Sequence, residues 1–506
     1  MALNPSYMPT LSKSRFVSGV QCEKKLYFDI FRKDLKPPLS EAQERLFSSG
    51  NTVGELAQKA FPNGKDATYE MNGDWSLGIS RTKNWINEGV QTIYEAAFSH
   101  SKVFAALDIL HLTQNNERWA IEVKSSTDIK DYHITDASLQ YWVMNKCSVV
   151  PDKFFIMHIN NAYVKRGAIN PNELFTLSDI TEQVINKQAW VTEQLSYLHE
   201  LLDTENEPTK EIGKQCHSPF ACDYMHHCWQ HIPQQSVFEL FSPRGKDWVL
   251  YESGITLLED VPEDAVLSHR QKLQVEGVKF NRSYIDKKAI KEFLSSFQFS
   301  LYFFDFETVF PAIPPIDGAS PFQQTPFQYS LHILKSPDWE LEHREFLANP
   351  ADYREASDSD PRRLLLEQLQ KDIGSSGSIV AYNATFEIGV LKSLIPLFPE
   401  FENFINDLCS RFVDLLIPFR NAWYYTPEMG KSASIKSVLP ALAPEFSYAD
   451  LPIGNGGDAS ETFLAMINDT FEGDIEETRQ HLLRYCERDT YGMVVLWRVL
   501  REKTWL

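Results

Sequence analysis

Long apolar runs are missing from this sequence. The first residues, MALNPSYMPTLSKSRF, contain no apolar stretch of the length that a secretory signal needs. No later segment approaches the ~18 uninterrupted apolar residues of a membrane span. Internal repeats and low-complexity tracts are also absent. We therefore expect a soluble, cytoplasmic protein without a membrane partner.

Basic residues are in short supply. The chain has 49 Lys and Arg against 69 Asp and Glu, a formal net charge of -20. Because proteins that coat nucleic acid use Lys and Arg to release counterions, this balance argues against that class. A nuclease stays possible, since it needs only a local basic groove. Seven basic residues cluster near the N-terminus, a grouping that is also typical of solvated surfaces: Lys13, Arg15, Lys24, Lys25, Arg32, Lys33 and Lys36.

Cysteine is scarce too, with seven residues in the chain. Without a secretory signal we expect no disulfides, so clustered cysteines indicate metal or cluster ligation. CHSPFACDYMHHCW places Cys216, Cys222 and Cys228 at two equal steps, and Cys22 is the candidate for a fourth thiolate. Four thiolates hold either a [4Fe–4S] cluster or structural zinc. The spacing alone leaves cluster, zinc and free thiols equally open.

A D…E-x-K pattern lies between these cysteines. Asp108 belongs to FAALDILHL, where we expect it to end the apolar segment, and RWAIEVKSS places Glu122 and Lys124 on one face of the next predicted strand. Two carboxylates suit the binding of Mg²⁺ or Mn²⁺ beside a scissile phosphate, and a neighbouring lysine suits the orientation of the attacking water. When such a pattern stands alone, an amphipathic hairpin with a cross-strand salt bridge is its more common explanation.

The surrounding sequence adds a resemblance. SKSRFVSGVQCEKKLYFD, followed far downstream by three closely spaced cysteines, resembles the iron–sulphur RecB-like nucleases of the AddB and CRISPR-adaptation type. In those families one N-terminal and three C-terminal cysteines clasp a PD-(D/E)XK domain. The resemblance implies an α/β restriction-endonuclease-like fold and a [4Fe–4S] cluster on the four cysteines. It also implies metal binding by Asp108 and Glu122, and a substrate-positioning role for Gln140.

Three features depart from that family. A C-x5-C spacing stands in place of the usual C-x2-C pair. Gly54 occupies the position expected for a metal-binding histidine, and Met144 replaces a tyrosine, with Tyr141 nearby. Three histidines become candidate ligands only if the cysteines hold zinc: His217, His226 and His227.

A second group of acidic residues appears after residue 299, where predicted strands and helices alternate. YFFDFETVF places Asp305 and Glu307 two residues apart on an apolar strand, so both carboxylates share one face. A buried pair of this kind is costly unless a cation compensates it. The pair therefore indicates a divalent-metal site, or else a strand end where the carboxylates reach solvent or an arginine.

Two further motifs follow in order. GSIVAYNATFEIGVLKSL carries Glu387 at a predicted helix start, and HLLRYCERDTYGMVVLWRVL places Tyr485 and Asp489 one turn apart. The series resembles the DnaQ-like DEDD exonucleases of the tyrosine subclass, which have a ribonuclease-H-like sheet. The resemblance implies that Asp305, Glu307, Glu387 and Asp489 hold two Mg²⁺ or Mn²⁺ ions while Tyr485 orients the attacking water.

Some residues of this second region have a weaker assignment. Glu387 stands where most DnaQ-like enzymes have aspartate. Asp414 in RFVDLLIP and Lys436 in SASIKSVLP are expected to be secondary contacts rather than catalytic residues.

These patterns predict three segments in a chain of 506 residues, of which 43% are hydrophobic. Residues 1–231 are expected to form the RecB-like domain and residues 299–506 the DnaQ-like domain. Residues 232–298 form a helical connector, which resembles a helix–hairpin–helix unit or is an ordinary pair of helices. The whole resembles a bacterial family that fuses the two nuclease types.

The expected activity is that of a metal-dependent DNA nuclease with two hydrolytic sites, acting in repair, recombination or defence against foreign DNA. The expected partner is DNA with free ends or single-stranded character. An RNA-directed 3′–5′ exonuclease is an alternative, because DEDD sites do not by themselves distinguish the two sugars. A binding scaffold with one or both sites decayed is another, motivated by Gly54, Met144 and Glu387. Metal dependence of cleavage separates this scaffold from the enzymes.

Overall fold

The protein is represented by a computed structural model that describes residues 10–39, 41–68, 75–204, 206–353, 360–446, 448 and 450–505; residues 41–49 are described as backbone only. The chain divides into two compact units, Met1–His231 and Ile232–Leu506. Both units mix helices and strands, which confirms the predicted α/β class. Among the described residues, no helix has both the length and the apolar character that a bilayer crossing requires.

The first unit contains a six-stranded sheet whose strands lie side by side in chain order. They are β1 (Lys65–Asp66), β2 (Thr92–His100), β3 (Val103–Leu112), β4 (Arg118–Lys124), β5 (Lys153–Ile159) and β6 (Phe175–Asp179). β2, β3 and β4 form an antiparallel meander, β5 joins β4 in parallel, and β6 returns antiparallel to β5. A parallel neighbour needs a crossover connection, and a helix between β4 and β5 provides it.

The helices of the first unit surround this sheet. They are α1 (Lys13–Gln21), α2 (Glu23–Phe31), α3 (Glu41–Lys59), α4 (Ser76–Asn87), α5 (Asp131–Lys146), α6 (Pro171–Leu174), α7 (Thr181–Asn186), α8 (Gln188–Asp203) and α9 (Met225–Cys228). The crossover helix α5 packs against β3, α1, α7 and α8, so it is buried along most of its length. Cys22, in extended backbone conformation, ends α1 and precedes α2.

The second unit contains a five-stranded sheet in the order β10–β9–β8–β11–β12 and a separate pair, β7 with β13. The strands are β7 (Tyr284–Ile285), β8 (Leu301–Val309), β9 (Thr325–Leu334), β10 (Glu342–Leu347), β11 (Ser378–Ala381), β12 (Phe412–Asp414) and β13 (Tyr424–Tyr425). β8, β9 and β10 form an antiparallel meander, and β11 and β12 add in parallel on the other side of β8. The strand with the D-x-E pair is therefore the central one.

The second unit also contains helices along much of its length. They are α10 (Lys246–Glu252), α11 (His269–Phe280), α12 (Lys287–Ser295), α13 (Pro361–Asp372), α14 (Thr385–Leu394), α15 (Glu402–Ser410), α16 (Ile417–Arg420), α17 (Ile435–Leu442), α18 (Gly456–Ile467) and α19 (Ile475–Trp505). Side chains from α13, α14 and α15 form one hydrophobic cluster with alternate residues of β8. The 31-residue helix α19 packs against β8 and β9 on the opposite face.

Residues 232–298 group with the second unit. Helix α10 ends at Glu252, Gly254 turns the chain with φ +87°, and the next α-helix begins only at His269. Buried Arg270 then donates hydrogen bonds to the carbonyls of Phe419 and Arg420 at 2.5 and 2.9 Å. These bonds attach α11 to the end of α16.

Candidate functional site

Three elements of the second unit bring four acidic side chains together. On β8, Tyr302, Phe304 and Phe306 pack into the cluster with α13–α15, so the intervening residues project toward α19. Asp305 and Glu307 therefore face α19, which carries Asp489, while Glu387 lies in the first turn of α14. Asp305 keeps some exposure, and the other three carboxylates are buried.

Burial raises the pKa of all four carboxyl groups, and repulsion within the group adds to this effect at Asp305 and Glu307. Burial is the main cause at Asp305, and repulsion from Asp489, Glu307 and Glu387 raises its pKa further. Burial and Asp489 raise the pKa of Glu307 to about 8. Burial also raises the pKa of Glu387 to about 8, and the Oε2 atom of this residue is buried without a hydrogen-bond partner. The positive charge of Lys436 partly counters the effect at Glu307 and Asp489.

Helix α19 adds an aromatic and a sulfur group beside the carboxylates. Tyr485 is buried, and burial together with Asp489 and Glu307 raises its pKa. The thiol of Cys486 lies 3.8 Å from Oδ2 of Asp305. One ligand atom each from Asp305, Glu307 and Cys486 lies within 4.8 Å of the other two, a set that can bind a divalent cation.

Tyr448 belongs to this site, although no sequence pattern indicated it. Its hydroxyl donates a 2.5 Å hydrogen bond to Oδ1 of Asp489, 41 positions away. The side chain of Lys436 donates to the carbonyl of Gly454 at 2.9 Å and lies over the rings of Tyr448 and Tyr485. These contacts fix the orientation of Asp489 and place a positive charge at the edge of the cluster.

Asp414 supports the turn that leads into α14. Its Oδ1 accepts hydrogen bonds from the backbone N–H groups of Asn383 and Leu416 at 2.9 and 3.0 Å. Asn383 has φ +82°, a left-handed conformation that benefits from such a support. Asp414 also raises the pKa of Glu387, so it lies near the cluster while its own oxygen is engaged with the backbone.

In the first unit, β3 and β4 bring Asp108, Glu122 and Lys124 together. Asp108 lies within β3, which continues to Leu112, so it does not end the strand as the sequence suggested. Its Oδ2 accepts a 2.5 Å hydrogen bond from the backbone N–H of Val123. The Lys124 ammonium donates to Glu122 and to Asp136 of α5, each at 2.8 Å. These residues therefore form one buried charged cluster.

Three members of this cluster had not been assigned from the sequence. Lys13 of α1 contacts both carboxylate oxygens of Glu122, and Asp136 contacts Lys124. Glu95 lies on β2 with φ +52°, at a break in the pairing of β2 with β3. Burial raises the pKa of Glu95 to about 7, with Glu122 adding repulsion and Lys13 opposing it. The sequence could have indicated Glu95 as a candidate site residue, because it is a lone carboxylate in an apolar strand segment.

The pKa values of Asp108 and Glu122 are shifted in opposite directions. Burial and the charge of Glu122 raise the pKa of Asp108 well above its usual range. Burial acts in the same direction on Glu122, but Lys124 and Lys13 reverse it and hold the pKa of that carboxyl well below its usual value. Gln140 of α5 is fully buried and close enough to lower the pKa of Glu122, yet neither amide atom makes a hydrogen bond of normal geometry. The unpartnered amide provides a free polar contact inside the site.

Met144 and Gly54, which depart from the RecB-like pattern, add no metal ligand to the charged cluster of the first unit. Met144 is fully buried in the hydrophobic core, and Tyr141 packs in the same cluster. Gly54 lies on α3, where an added Cβ would meet no atom within 4 Å.

All four predicted cysteine ligands line one pocket of the first unit: Cys22, Cys216, Cys222 and Cys228. Burial raises the pKa of Cys222 to about 11, and the neighbouring Cys22 and Cys216 thiols raise it further. The side chain of Gln21 donates to the carbonyls of Gln215 and Phe220 at 2.8 and 2.7 Å. Hydrogen bonds therefore join the end of α1 to the distant cysteine segment.

The spacing of these thiols differs from that of a zinc site. Within the described part of the chain, the groups of three ligand atoms that lie within 4.8 Å of one another do not include three of these sulfurs. Tetrahedral zinc with Zn–S bonds of ~2.3 Å holds its sulfurs about 3.8 Å apart. The residues that line the pocket do not include the three nearby histidines, His217, His226 and His227. The four cysteine sulfurs are therefore the candidate ligands of this pocket.

Comparisons with known proteins show partial similarity. A family model described as "Domain of unknown function (DUF2779)" matches residues 302–434, a stretch that includes Asp305, Glu307 and Glu387. "Uncharacterized protein UU173" of Ureaplasma parvum is 25% identical over 211 residues, which cover 38% of this chain and 30% of that protein. "Uncharacterized protein MG366 homolog" of Mycoplasma pneumoniae is 27% identical over 243 residues, which cover 43% and 35%. The chain thus spans about a third of the length of these curated relatives.

Proposed function

We propose that this chain is a metal-dependent nuclease with two phosphodiester-hydrolysing centres, one in each unit, acting on DNA. The observation that carries the proposal is the convergence of Asp305, Glu307, Glu387 and Asp489 in a buried site where Lys436 offers one positive charge. Buried like charges cannot all ionise near neutral pH unless cations neutralise them. Bound Mg²⁺ or Mn²⁺ is the neutralisation that oxygen-rich sites favour.

The topology of the second unit supports this proposal. An antiparallel meander with two parallel strands added beside its first strand is the sheet order of ribonuclease-H-like folds, and β10–β9–β8–β11–β12 has that order. The acidic residues lie on the central strand, on the helix after β11 and on the C-terminal helix. These are the locations implied by the resemblance to DnaQ-like exonucleases.

The side chains of the second centre have distinct roles in this proposal. Two bound divalent ions would activate a water molecule and stabilise the departing 3′ oxygen. Asp305, Glu307, Glu387 and Asp489 hold the ions, and the orphan Oε2 of Glu387 is available for one of them. Tyr448 fixes Asp489, while Tyr485 is placed beside Glu307 and Asp489 to orient the water. Lys436 provides positive charge for the substrate phosphate.

The first unit supports a second centre. A meander of three strands, a crossover helix and a parallel fourth strand form the core of PD-(D/E)XK nucleases, and β2–β3–β4, α5 and β5 follow that order. Asp108 and Glu122 would hold the metal ion, with Glu95 as a third carboxylate in place of the missing histidine. Lys124 would orient the attacking water, and the unpartnered Gln140 amide would contact substrate.

The cysteine pocket supports a [4Fe–4S] cluster held by Cys22, Cys216, Cys222 and Cys228. Four thiols line one pocket of the first unit, and four thiolates are the usual ligand set of such a cluster. The group would serve as a structural clasp, because it would close the loop between α1 and the segment around Cys216. Such closure is most stabilising when the loop is long.

A cleavage assay tests the proposed function. End-labelled single-stranded DNA, duplex DNA and RNA are incubated with Mg²⁺, Mn²⁺ or a chelator, using the wild type and the double variant Lys124→Ala/Asp305→Ala. The matched control is Lys83→Ala/Asp338→Ala, which changes an exposed lysine and an exposed aspartate. We expect metal-dependent DNA cleavage that the control keeps and the double variant loses. Cleavage that persists in the double variant would contradict the proposal, and preference for RNA would favour the alternative substrate.

A further inference from the structure

Two histidines and a glutamate meet on the face of the second sheet that packs against α19. His332 of β9 and His343 of β10 are direct cross-strand partners, and their rings stack with centroids 4.5 Å apart. Glu487 of α19 completes the group, with Oε1 4.0 Å from Nδ1 of His343. One ligand atom from each of the three residues lies within 4.8 Å of the other two.

Two buried hydroxyl groups orient the imidazole rings. The hydroxyl of Thr490 lies 2.9 Å from Nδ1 of His332, and that of Ser330 lies 2.9 Å from Nε2 of His343. The two hydroxyls are themselves 2.7 Å apart and hydrogen-bonded. Each histidine thus has one nitrogen engaged and the opposite nitrogen left for a ligand. Metal-binding histidines are commonly held in this way, through a hydrogen bond at the nitrogen that does not bind the ion.

The protonation state of His332 and the access of solvent to the group also suit the binding of a metal ion. Burial and the neighbouring His343 lower the pKa of His332 to about 3, so this ring is neutral at physiological pH and retains its lone pair. The side chains of His343 and Glu487 are 25% and 48% exposed, so solvent reaches the group. Glu345, directly across from Ser330, adds negative charge beside His343. A dication would balance the two carboxylates.

We propose that His332, His343 and Glu487 bind one first-row transition metal ion, zinc by preference, with water completing the coordination. Two imidazoles and a carboxylate suit zinc rather than Mg²⁺. Bonds of ~2.1 Å in a tetrahedron require ligand atoms about 3.4 Å apart, so the group must contract. Glu487, half-exposed, can make that movement by changing rotamer.

This site is separate from the carboxylate centre, and it does not depend on the proposed nuclease activity. Its ligands come from β9, β10 and α19, so the ion would tie that helix to the sheet. Helix α19 also carries Tyr485 and Asp489. The site would therefore hold the C-terminal helix in the position that the carboxylate centre needs.

Zinc stoichiometry tests the proposal. The full chain is purified anaerobically, freed of loosely bound metal, and titrated with Zn²⁺ in competition with a chromophoric chelator. Because the cysteine pocket and the carboxylate centre also accept zinc, the readout is the difference between proteins rather than the total. The variants are His343→Ala and Glu487→Gln, and the control is His481→Ala on the same helix.

We expect the wild type and His481→Ala to bind one zinc ion per chain more than either variant. We also expect zinc to raise the melting temperature less in the two variants. Circular dichroism checks that each variant folds. If His343→Ala does not fold, the zinc stoichiometry of Glu487→Gln tests the proposal, because this substitution changes a half-exposed side chain. Equal zinc stoichiometry in the wild type and in folded Glu487→Gln would overturn the proposal.

Discussion

The ammonium group of Lys13 lies 3.0 Å from one carboxylate oxygen of Glu122 and 3.2 Å from the other, across 109 positions of sequence. An ammonium that contacts both oxygens occupies the place where a divalent cation would bind. Burial would lower the pKa of Lys13, but Glu122, Asp136 and Asp108 raise it, so the lysine stays charged. In the proposed first centre, Lys13 and a metal ion would therefore compete for Glu122.

This competition predicts opposite effects on metal binding and turnover. In a Glu387→Gln background, which removes the second centre, Lys13→Met should tighten Mn²⁺ binding at the first centre by roughly tenfold, or about 1.4 kcal/mol. Turnover should fall, because the variant lacks the positive charge that Lys13 would offer to a phosphate once metal displaces it from Glu122. Mn²⁺ titration and single-turnover cleavage measure the two quantities, with Lys83→Met as the control. A loss of both metal affinity and turnover would reduce Lys13 to a structural ion pair.

Lys124 should act on the chemical step rather than on DNA binding. In the Asp305→Ala background, Lys124→Ala is expected to lower turnover by roughly 10²–10³-fold, the range seen when one transition-state donor is removed. The DNA dissociation constant should change little. Rapid-quench kinetics and fluorescence anisotropy provide the two measurements. Unchanged cleavage would indicate that Asp108, Glu122 and Lys124 form only a structural, salt-bridged hairpin, which is the other explanation of the sequence pattern.

The carboxylates of the second unit predict a pH dependence of stability. Burial raises the pKa of Glu307 and Glu387 to about 8, above the value of about 4.3 expected in the unfolded chain. The folded state then holds more protons than the unfolded state between these values, so the free energy of unfolding should fall as pH rises through that window. Thermal unfolding in chelator should show this decline from about pH 4.3 to about pH 8, and Mn²⁺ should remove it.

Asp305→Asn controls that experiment, because it deletes one charge of the cluster. The variant should show a weaker pH dependence in chelator and a smaller response to Mn²⁺. A wild type whose melting temperature is the same in chelator and in Mn²⁺ would show that the cluster binds no ion.

The cysteine pocket makes a prediction about colour and stability. Protein purified anaerobically should be brown, with iron and sulphide each near four per chain. Cys222→Ser should lose this colour and destabilise the first unit more than the second, since the four thiols lie in the first unit. Cys409→Ser, which changes a cysteine of the second unit, is the control. Colourless wild-type protein with one zinc ion would contradict the assignment.

The sequence interpretation depended on local rules of strand and helix geometry. The side chains of Asp305 and Glu307 share a face because strand residues alternate, and Tyr485 and Asp489 align because they lie one helical turn apart. The pairing of β3 with β4 likewise follows from a short polar connection. Such patterns depend on neighbours in the chain, so they can be read without coordinates.

Contacts between distant segments could not be read in that way. Lys13 reaches Glu122 and Tyr448 reaches Asp489 only because the folded chain brings them together. Glu95 enters its cluster through a break in strand pairing that the sequence does not indicate. The position of Asp108 within β3 was misjudged, because the apolar run continues beyond it.

Product analysis from a 5′-labelled DNA strand tests the central claim most directly. Lys124→Ala protein, in which only the second centre is intact, is incubated with the strand and Mn²⁺, and the products are resolved by length. The account predicts a ladder that shortens one nucleotide at a time from the 3′ end and disappears when Asp305→Ala is added, while Asp338→Ala leaves it unchanged. An intact 3′ end in the Lys124→Ala protein, with Mn²⁺ present, would contradict the account.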